Sequence, residues 1–149
     1  MGDSNRFIIF ADFIQKHFNN CEKILDVAGG QGGLTYELIK RGYQVTVIDP
    51  KIKIKNNNVS KIKKYYNDEI DISDYDLIVG LHPDGATEYI VKNAIQNNKR
   101  FAVIPCCVFP INKKLKFNYH QWINHLQQYS PNINRWQLYM QGCNIVLYN

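Results

Sequence analysis

Residues 23–33 read Lys-Ile-Leu-Asp-Val-Ala-Gly-Gly-Gln-Gly-Gly, a short apolar run that breaks into a glycine-rich turn. Nothing else in the chain restricts its possible folds so strongly. Leu34, Leu38 and Ile39 recur at helical spacing straight after the turn, and Gly42 is placed to end that helix. Strand, glycine turn and helix in this order form the repeating unit of doubly wound α/β folds. The glycines permit positive φ and close approach of the backbone, and the amides at the helix start face outward from the turn. Such a unit needs a parallel neighbour, and Tyr43–Ile48, closed by Asp49-Pro50, supplies one.

The remaining elements extend the pattern. Phe7, Phe10, Ala11, Ile14 and Phe18 predict an amphipathic helix over about residues 5–19, with Ser4 as N-cap. Residues 51–60 read as an Asn-rich loop, and Ile62 to Tyr66 as a third strand. Tyr75 to Leu81 is a fourth strand, ending in His82-Pro83-Asp84. Asp84 then caps a helix whose apolar face is Ile90, Val91, Ala94 and Ile95. Arg100 to Val108, the most apolar strand, is predicted to be central. Asn118 opens a helix with Tyr119, Trp122, Ile123, Leu126 and Tyr129 on one side. Arg135–Met140 and Asn144–Tyr148 are joined by a short turn around Gly142 and must pair antiparallel, because parallel strands need a long crossover. The expected architecture is one α/β domain over residues 1–149. It is a doubly wound, mostly parallel seven-stranded sheet with a C-terminal antiparallel hairpin.

Composition excludes several classes. A chain that is 45% hydrophobic and 21% charged has the balance of a folded domain, not of a disordered tail. No apolar run approaches the ~20 residues that cross a bilayer, so no membrane partner is expected. Adjacent Cys106 and Cys107 are awkward disulfide partners, and neither Cys21 nor Cys143 makes a Cys-x-x-Cys pair that points to zinc. Reduced thiols, no metal, and a cytoplasmic or nuclear location follow from that reading. The formal charge of +5 is unevenly spread. Residues 1–88 hold every acid and net −2. Residues 89–149 hold only bases (Lys92, Lys99, Arg100, Lys113, Lys114, Lys116 and Arg135) and net +7. Codon bias can place lysines on solvated faces, but it does not readily remove every acid from so long a stretch. The asymmetry favours a polyanionic partner.

The glycine turn does not fit the dinucleotide fingerprint, since counting from Gly30 places Thr35 where the third glycine belongs. It is not a P-loop either, because no Gly-Lys-Ser/Thr follows. Asp26-Val-Ala-Gly-Gly-Gln-Gly-Gly33 instead resembles the first motif of class I S-adenosylmethionine (SAM)-dependent methyltransferases, which have a Rossmann-like fold. In that motif an acid is followed by alternate small residues, here Ala28, Gly30 and Gly32. The element order is similar to that family's across nearly the whole chain, which implies a near-complete methyltransferase core with SAM as cofactor. The resemblance assigns Asp26, Ala28, Gly29, Gly30 and Gly32 to cofactor binding and Asp49 to the ribose hydroxyls. It places Asn67-Asp68 at the adenine ring and Leu81 beside the cofactor.

A second constellation lies at the ends of the fourth and fifth strands, in Gly80-Leu-His-Pro-Asp-Gly-Ala-Thr-Glu88 and Pro105-Cys-Cys-Val-Phe-Pro110. Its His-x-x-x-Ala-Thr and Cys-Cys pair are similar to a branch containing tRNA 2′-O-methyltransferases of acceptor-stem nucleotides and uncharacterised eukaryotic methyltransferase-like proteins. Those tRNA enzymes carry His-Leu-Cys-Gly where this chain has His82-Pro83-Asp84-Gly85, and zinc-finger segments that it lacks. His82 can remove a proton from a substrate hydroxyl, or be a helix-start histidine satisfied by backbone. Asp84 is a catalytic acid or the N-cap. Cys106 or Cys107 is a covalent nucleophile, or each is a small buried hydrophobe. The Asn-Pro-Pro-Tyr tetrapeptide of amino-group methylases is absent, which argues against an exocyclic amine as acceptor.

Lys113, Lys114 and Lys116 follow the fifth strand, interleaved with Phe109, Phe117 and Tyr119, a pattern suited to a nucleic-acid backbone and stacked bases. The Lys51–Lys64 run reads as a solvated, mobile loop, since acids follow it at once. The expected function is SAM-dependent methyl transfer to RNA, on a 2′-oxygen or a base. Its rivals are a non-catalytic scaffold, a catalytic subunit whose protein partner supplies recognition, and a small-molecule or protein methyltransferase.

Overall fold

The computed structural model describes residues 2–149. Twelve residues, Arg6–His17, form α1, which buries Phe10, Ala11, Phe13 and Ile14. Ser4 is not its N-cap. Asn5 holds that position and makes no side-chain capping bond, so packing of the apolar face holds the helix start. β1 (Lys23–Val27) leads through the glycine turn into α2 (Gly33–Lys40), then β2 (Gln44–Ile48). β3 is Ser60–Ile62, shorter and earlier than the predicted Ile62–Tyr66. Its register on β2, Thr46 with Ser60 and Ile48 with Ile62, leaves Tyr65 and Tyr66 beyond the strand end.

β4 (Leu77–Leu81) is followed by a 3₁₀ turn over Asp84–Ala86 and α3 (Thr87–Gln96). β5 stops at Ile104, not at Val108, because Pro105 has no N–H to continue the ladder. α4 (Tyr119–Gln127) begins with a capping box: Asn118 accepts from the Gln121 amide, and Gln121 accepts from the Asn118 amide. β6 (Asn134–Gln137) and β7 (Ile145–Tyr148) form the antiparallel hairpin.

The seven strands take the order β3-β2-β1-β4-β5-β7-β6. β1 to β5 are parallel, and β7 inserts antiparallel between β5 and β6. The middle strand is therefore β4, with the more apolar β5 one place outward. α1 and α2 cover one face through a core that includes Phe10, Ile14, Phe18, Leu38 and Ala102. α3 and α4 cover the other through Ile90, Phe101, Trp122 and Leu126. Arg41 bridges the first two helices, reaching Asp12 at 2.6 Å and Glu37 at 2.8 Å. Among the described residues no helix is long and apolar enough to cross a membrane.

The chain runs β1, β2, β3 toward one edge, then returns to lay β4 on the other side of β1. This reversal opens a crevice at the carboxyl ends of β1 and β4, the place where open α/β sheets bind ligands. Backbone strain concentrates there. Of four non-glycine residues with positive φ among the described residues, Ala28 (62°), His82 (54°) and Asp84 (49°) lie at the ends of these two strands. Such conformations cost on the order of 1–3 kcal/mol each and persist only where the surroundings enforce them.

Candidate active site

Two cavities flank Ala28 at this crevice. One, of about 220 Å³, is lined by Arg6, Phe7, Asp26, Gly29, Gly32 and His82 among others. The second, of about 410 Å³, lies between Asp49, Tyr65, Asn67, Asp84 and Tyr89. Ala28 borders both, so they are two lobes around one residue. A larger cavity, of about 490 Å³, opens beside Lys23, Gln44 and Asp74, at the amino ends of β1 and β2 and away from this crevice.

The turn is built by close approach. Gly32 has φ +89°, and a Cβ there would lie 2.9 Å from both Ile54 and Tyr36. Gly30 borders neither cavity. A Cβ on it would collide with the Lys51 carbonyl and sit 2.8 Å from the Asp49 carboxylate. Its amide donates to Asp49 Oδ2 at 3.1 Å, and its carbonyl accepts from Lys53 at 2.8 Å. Gly30 thus ties the loop to the end of β2 and does not form a cradle wall. The Lys51–Lys64 segment is not wholly solvated either, since Ile54 and Val59 are buried against Val47.

Asp49 also accepts from the Lys51 amide, at 2.7 Å to Oδ1. Each carboxylate oxygen spends one lone pair on the backbone and keeps one for a ligand hydroxyl. Asn67 lines the larger lobe. It is held from behind by buried Asn93, whose amide donates to the Asn67 carbonyl at 2.9 Å and to the Tyr66 hydroxyl at 3.3 Å. Asp68 does not line the lobe. Its exposed carboxylate lies 4.0 Å from Lys92, so the pair Asn67-Asp68 divides between cleft and solvent.

Asp26 is buried beneath the turn and accepts from the Thr35 hydroxyl at 2.7 Å. Burial pushes its pKa up to about 7; the Thr35 bond opposes this and the nearby Asp49 charge adds to it.

On the β4 side, Leu81 and His82 border the small lobe. His82 Nε2 lies 3.0 Å from the Cys143 carbonyl. A carbonyl only accepts, so Nε2 carries the proton and Nδ1 of the neutral ring remains the basic nitrogen. The His82 backbone amide donates to Ile104 at 3.0 Å. The His82 side chain is thus satisfied by backbone, and the same bond selects its tautomer.

Asp84 does not cap α3. Ala86 precedes that helix, and the Asp84 carbonyl, not its carboxylate, accepts from the Thr87 hydroxyl at 2.8 Å. The Asp84 carboxylate receives the Cys106 thiol at 2.9 Å. Burial, reinforced by this carboxylate, drives the Cys106 pKa far above the ordinary thiol value. A thiol held protonated is a poor nucleophile, and Cys106 borders neither lobe. The Cys106 thiol is engaged with Asp84 and stands apart from both lobes. Asp84 accepts from that thiol and borders the larger lobe.

The segment after β5 is fastened from below. Buried Glu88 accepts from the Ile111 amide at 2.6 Å, His125 Nε2 at 2.5 Å and the Tyr129 hydroxyl at 2.8 Å. Burial alone would raise the Glu88 pKa, but these donors together hold it below the usual carboxylate value. Tyr119 donates to the Pro105 carbonyl at 2.9 Å. Residues 108–117 then enclose a depression of about 310 Å³ that includes Phe109, Lys113, Lys116 and Phe117.

Arg6, Phe7, Tyr65 and Tyr89 were not identified from the sequence as lining residues. Tyr65-Tyr66, immediately before Asn67, was the one available signal. Arg6 and Phe7 reach the small lobe from α1 by tertiary contact, since a Gly33 Cβ would overlap the Phe7 ring.

Neither protein-family models nor curated proteins match the chain. Solved structures do. PigF with SAH aligns with a TM-score of 0.66 at 12% identity, covering 98% of this chain and 54% of PigF. The magnesium protoporphyrin IX methyltransferase ChlM from Synechocystis PCC 6803, with bound SAM, aligns at 0.63 and 11%, covering 97% and 77%. The mitomycin 7-O-methyltransferase MmcR aligns at 0.62 and 12%, covering 97% and 53%. The chain spans about half to two thirds of the length of most such structures. At this identity the likeness establishes the fold: a mostly parallel seven-stranded sheet with an antiparallel C-terminal hairpin, as in class I SAM-dependent methyltransferases.

Proposed function

We propose that this chain is a SAM-dependent methyltransferase whose acceptor is a nucleotide of RNA. The observation that carries the reading is the two-lobed cleft around Ala28, with Asp49 on one side and His82 on the other. Its donor set fits SAM. Asp49 keeps lone pairs for the ribose hydroxyls, Asn67 and the apolar walls Val27, Ile48 and Ala86 suit an adenine ring, and Asp26 is a carboxyl for the amino-acid end. The solved structures of the same fold that hold SAM or SAH support the assignment.

When bound, SAM supplies an electrophilic methyl group on a sulfonium. The chain's own part is positioning and proton removal. The Cys143 carbonyl holds the His82 ring with Nδ1 as base, and the Ile104 carbonyl fixes its backbone. Nδ1 accepts the proton that an acceptor hydroxyl loses as its oxygen gains the methyl. The thiol of Cys106 takes no step.

RNA as acceptor is supported by the depression with Phe109, Lys113, Lys116 and Phe117, and by the base-only composition of residues 89–149. Lys114 lies on the same segment. Aromatic rings there stack bases, and ammonium groups meet phosphates. Membership in the tRNA 2′-O-methylating branch is part of this proposal, supported by the His-x-x-x-Ala-Thr and Cys-Cys residues. A small-molecule acceptor is the second reading. It is favoured by the solved structures of the same fold, which include a mitomycin 7-O-methyltransferase and a magnesium protoporphyrin IX methyltransferase.

Calorimetry with SAM and with its demethylated product tests the cofactor site, and saturable binding that Asp49→Ala removes is the expected result. No heat with either ligand sinks the reading. Methyl transfer from labelled SAM to total RNA, measured beside a small-molecule extract, separates the acceptors. Transfer to the extract alone removes RNA. SAM binding without transfer to either points to the scaffold, or to a subunit awaiting a protein partner.

A further inference from the structure

The thiols that methyl transfer does not use converge on a carboxylate just outside the cleft. Pro105 ends β5, so Cys106 and Cys107 fall in the loop beyond its carboxyl end. There they face the 82–85 segment that leaves β4. Asp84, held at φ 49°, turns its carboxylate to them. One donor atom from each of Asp84, Cys106 and Cys107 lies within 4.8 Å of the others.

We propose that Asp84, Cys106 and Cys107 form a three-ligand site for a thiophilic divalent cation of the zinc class, with a fourth coordination position open. The donor chemistry selects the ion. Two sulfur ligands and one carboxylate oxygen suit zinc, whereas magnesium and calcium take oxygen alone. Tetrahedral zinc, with bonds of about 2.3 Å to sulfur and about 2.0 Å to oxygen, sets its ligand atoms roughly 3.5–3.8 Å apart. The cluster is close enough to reach that spacing by rotation of the Asp84 and Cys107 side chains, which are exposed, about the half-buried Cys106. Charge points the same way. Asp84 is in no ion pair among the described residues, and a thiol proton is what meets its carboxylate. A cation replaces that proton. Binding releases both thiol protons to solvent, leaves two thiolates and one carboxylate on the metal, and changes no oxidation state. Asp84 also borders the larger lobe, so the site adjoins the cleft. The third thiol of this edge, Cys143, points its Sγ at the Cys106 carbonyl, 3.5 Å away, and is not a ligand.

Cobalt(II) titration of the fully reduced full-length chain tests the site, with the thiols counted beforehand by a chromogenic disulfide reagent. Thiolate-to-cobalt charge-transfer absorption that saturates near one equivalent and is displaced by zinc is expected. Cys107→Ser, at an exposed position where folding is safe, should lose most of the band, and Asp84→Asn should weaken cobalt affinity at least tenfold. Cys143→Ser should keep the band. No charge-transfer absorption in the reduced wild type overturns the site. So does a band that survives Cys107→Ser or vanishes in Cys143→Ser. None of these readouts involves SAM, so the cation site and the methyltransferase reading stand or fall separately.

Discussion

The two banks of the cleft are built by different means. On the β1–β2 bank, backbone decides the geometry. Gly30 is pressed between the Lys51 carbonyl and Asp49, Gly32 holds a positive φ, and both carboxylate oxygens of Asp49 are anchored by amides. On the β4–β5 bank, side chains decide it. His82 is set by a carbonyl of the β6–β7 turn, Asp84 by a thiol, and the loop beyond by the donors gathered on Glu88. A backbone-built bank tolerates no added atoms but is indifferent to most side chains. A side-chain-built bank keeps its shape under small changes and alters its chemistry instead. The first suits a constant cofactor, the second a variable acceptor.

The sharpest way to break this contrast is His82→Ala. Loss of a positioned base should slow single-turnover methyl transfer by roughly 10²–10⁴-fold while SAM affinity changes only a few fold. An equal fall in affinity, read by calorimetry, would move His82 to the cofactor bank. Gly30→Val should do the reverse. Its side chain meets the Lys51 carbonyl and Asp49, and SAM affinity should drop roughly hundredfold, about 3 kcal/mol.

Asp26 sharpens the first bank through pH. Its pKa of about 7 in the folded chain lies above the ordinary aspartate value of 3.8. Between pH 4 and 7 the folded state keeps a proton that the unfolded chain has lost, so this residue's contribution to stability declines as pH rises through that window. Asp26→Asn should match wild type near pH 4 and exceed its Tm by a few degrees at pH 8. Thermal melts at both values check the sign, and a gain confined to low pH would refute it. Cys106→Ser should leave transfer within a few fold, because the thiol is protonated and lies off the cleft. A collapse in rate would instead support the covalent nucleophile. The smallest effect belongs to the rim, where Lys113→Ala with Lys116→Ala should reduce the salt dependence of RNA binding by about two units in log–log slope.

Much of the frame was legible because its signals are local. The glycine turn, the helical spacing of Phe10, Ile14 and Leu38, and the Asn118 cap each act within a few residues. So does the short connection that forces the final hairpin. Local signals also misled. Tyr65 and Tyr66 have strand propensity, but β3 pairs with β2 only through Ile62. Val108 is apolar, but Pro105 had already stopped the ladder. Asp84 has the residue type of a cap and sits ahead of a helix, yet its positive φ turns the carboxylate away to Cys106.

The amino-acid order by itself determined the sheet, the glycine turn, the acid at the end of β2, and the segregation of charge between the two parts of the chain. Periodicity, capping and composition are properties of neighbours along the chain. Tertiary structure alone decided that Gly30 braces Asp49 instead of lining the cleft, that Arg6 and Phe7 close one lobe, and which nitrogen of His82 is free. It alone brought Asp84, separated by 22 positions from Cys106, within 2.9 Å of that thiol. These depend on which strand ends meet across the sheet, a relation between residues far apart in the chain that no local pattern encodes.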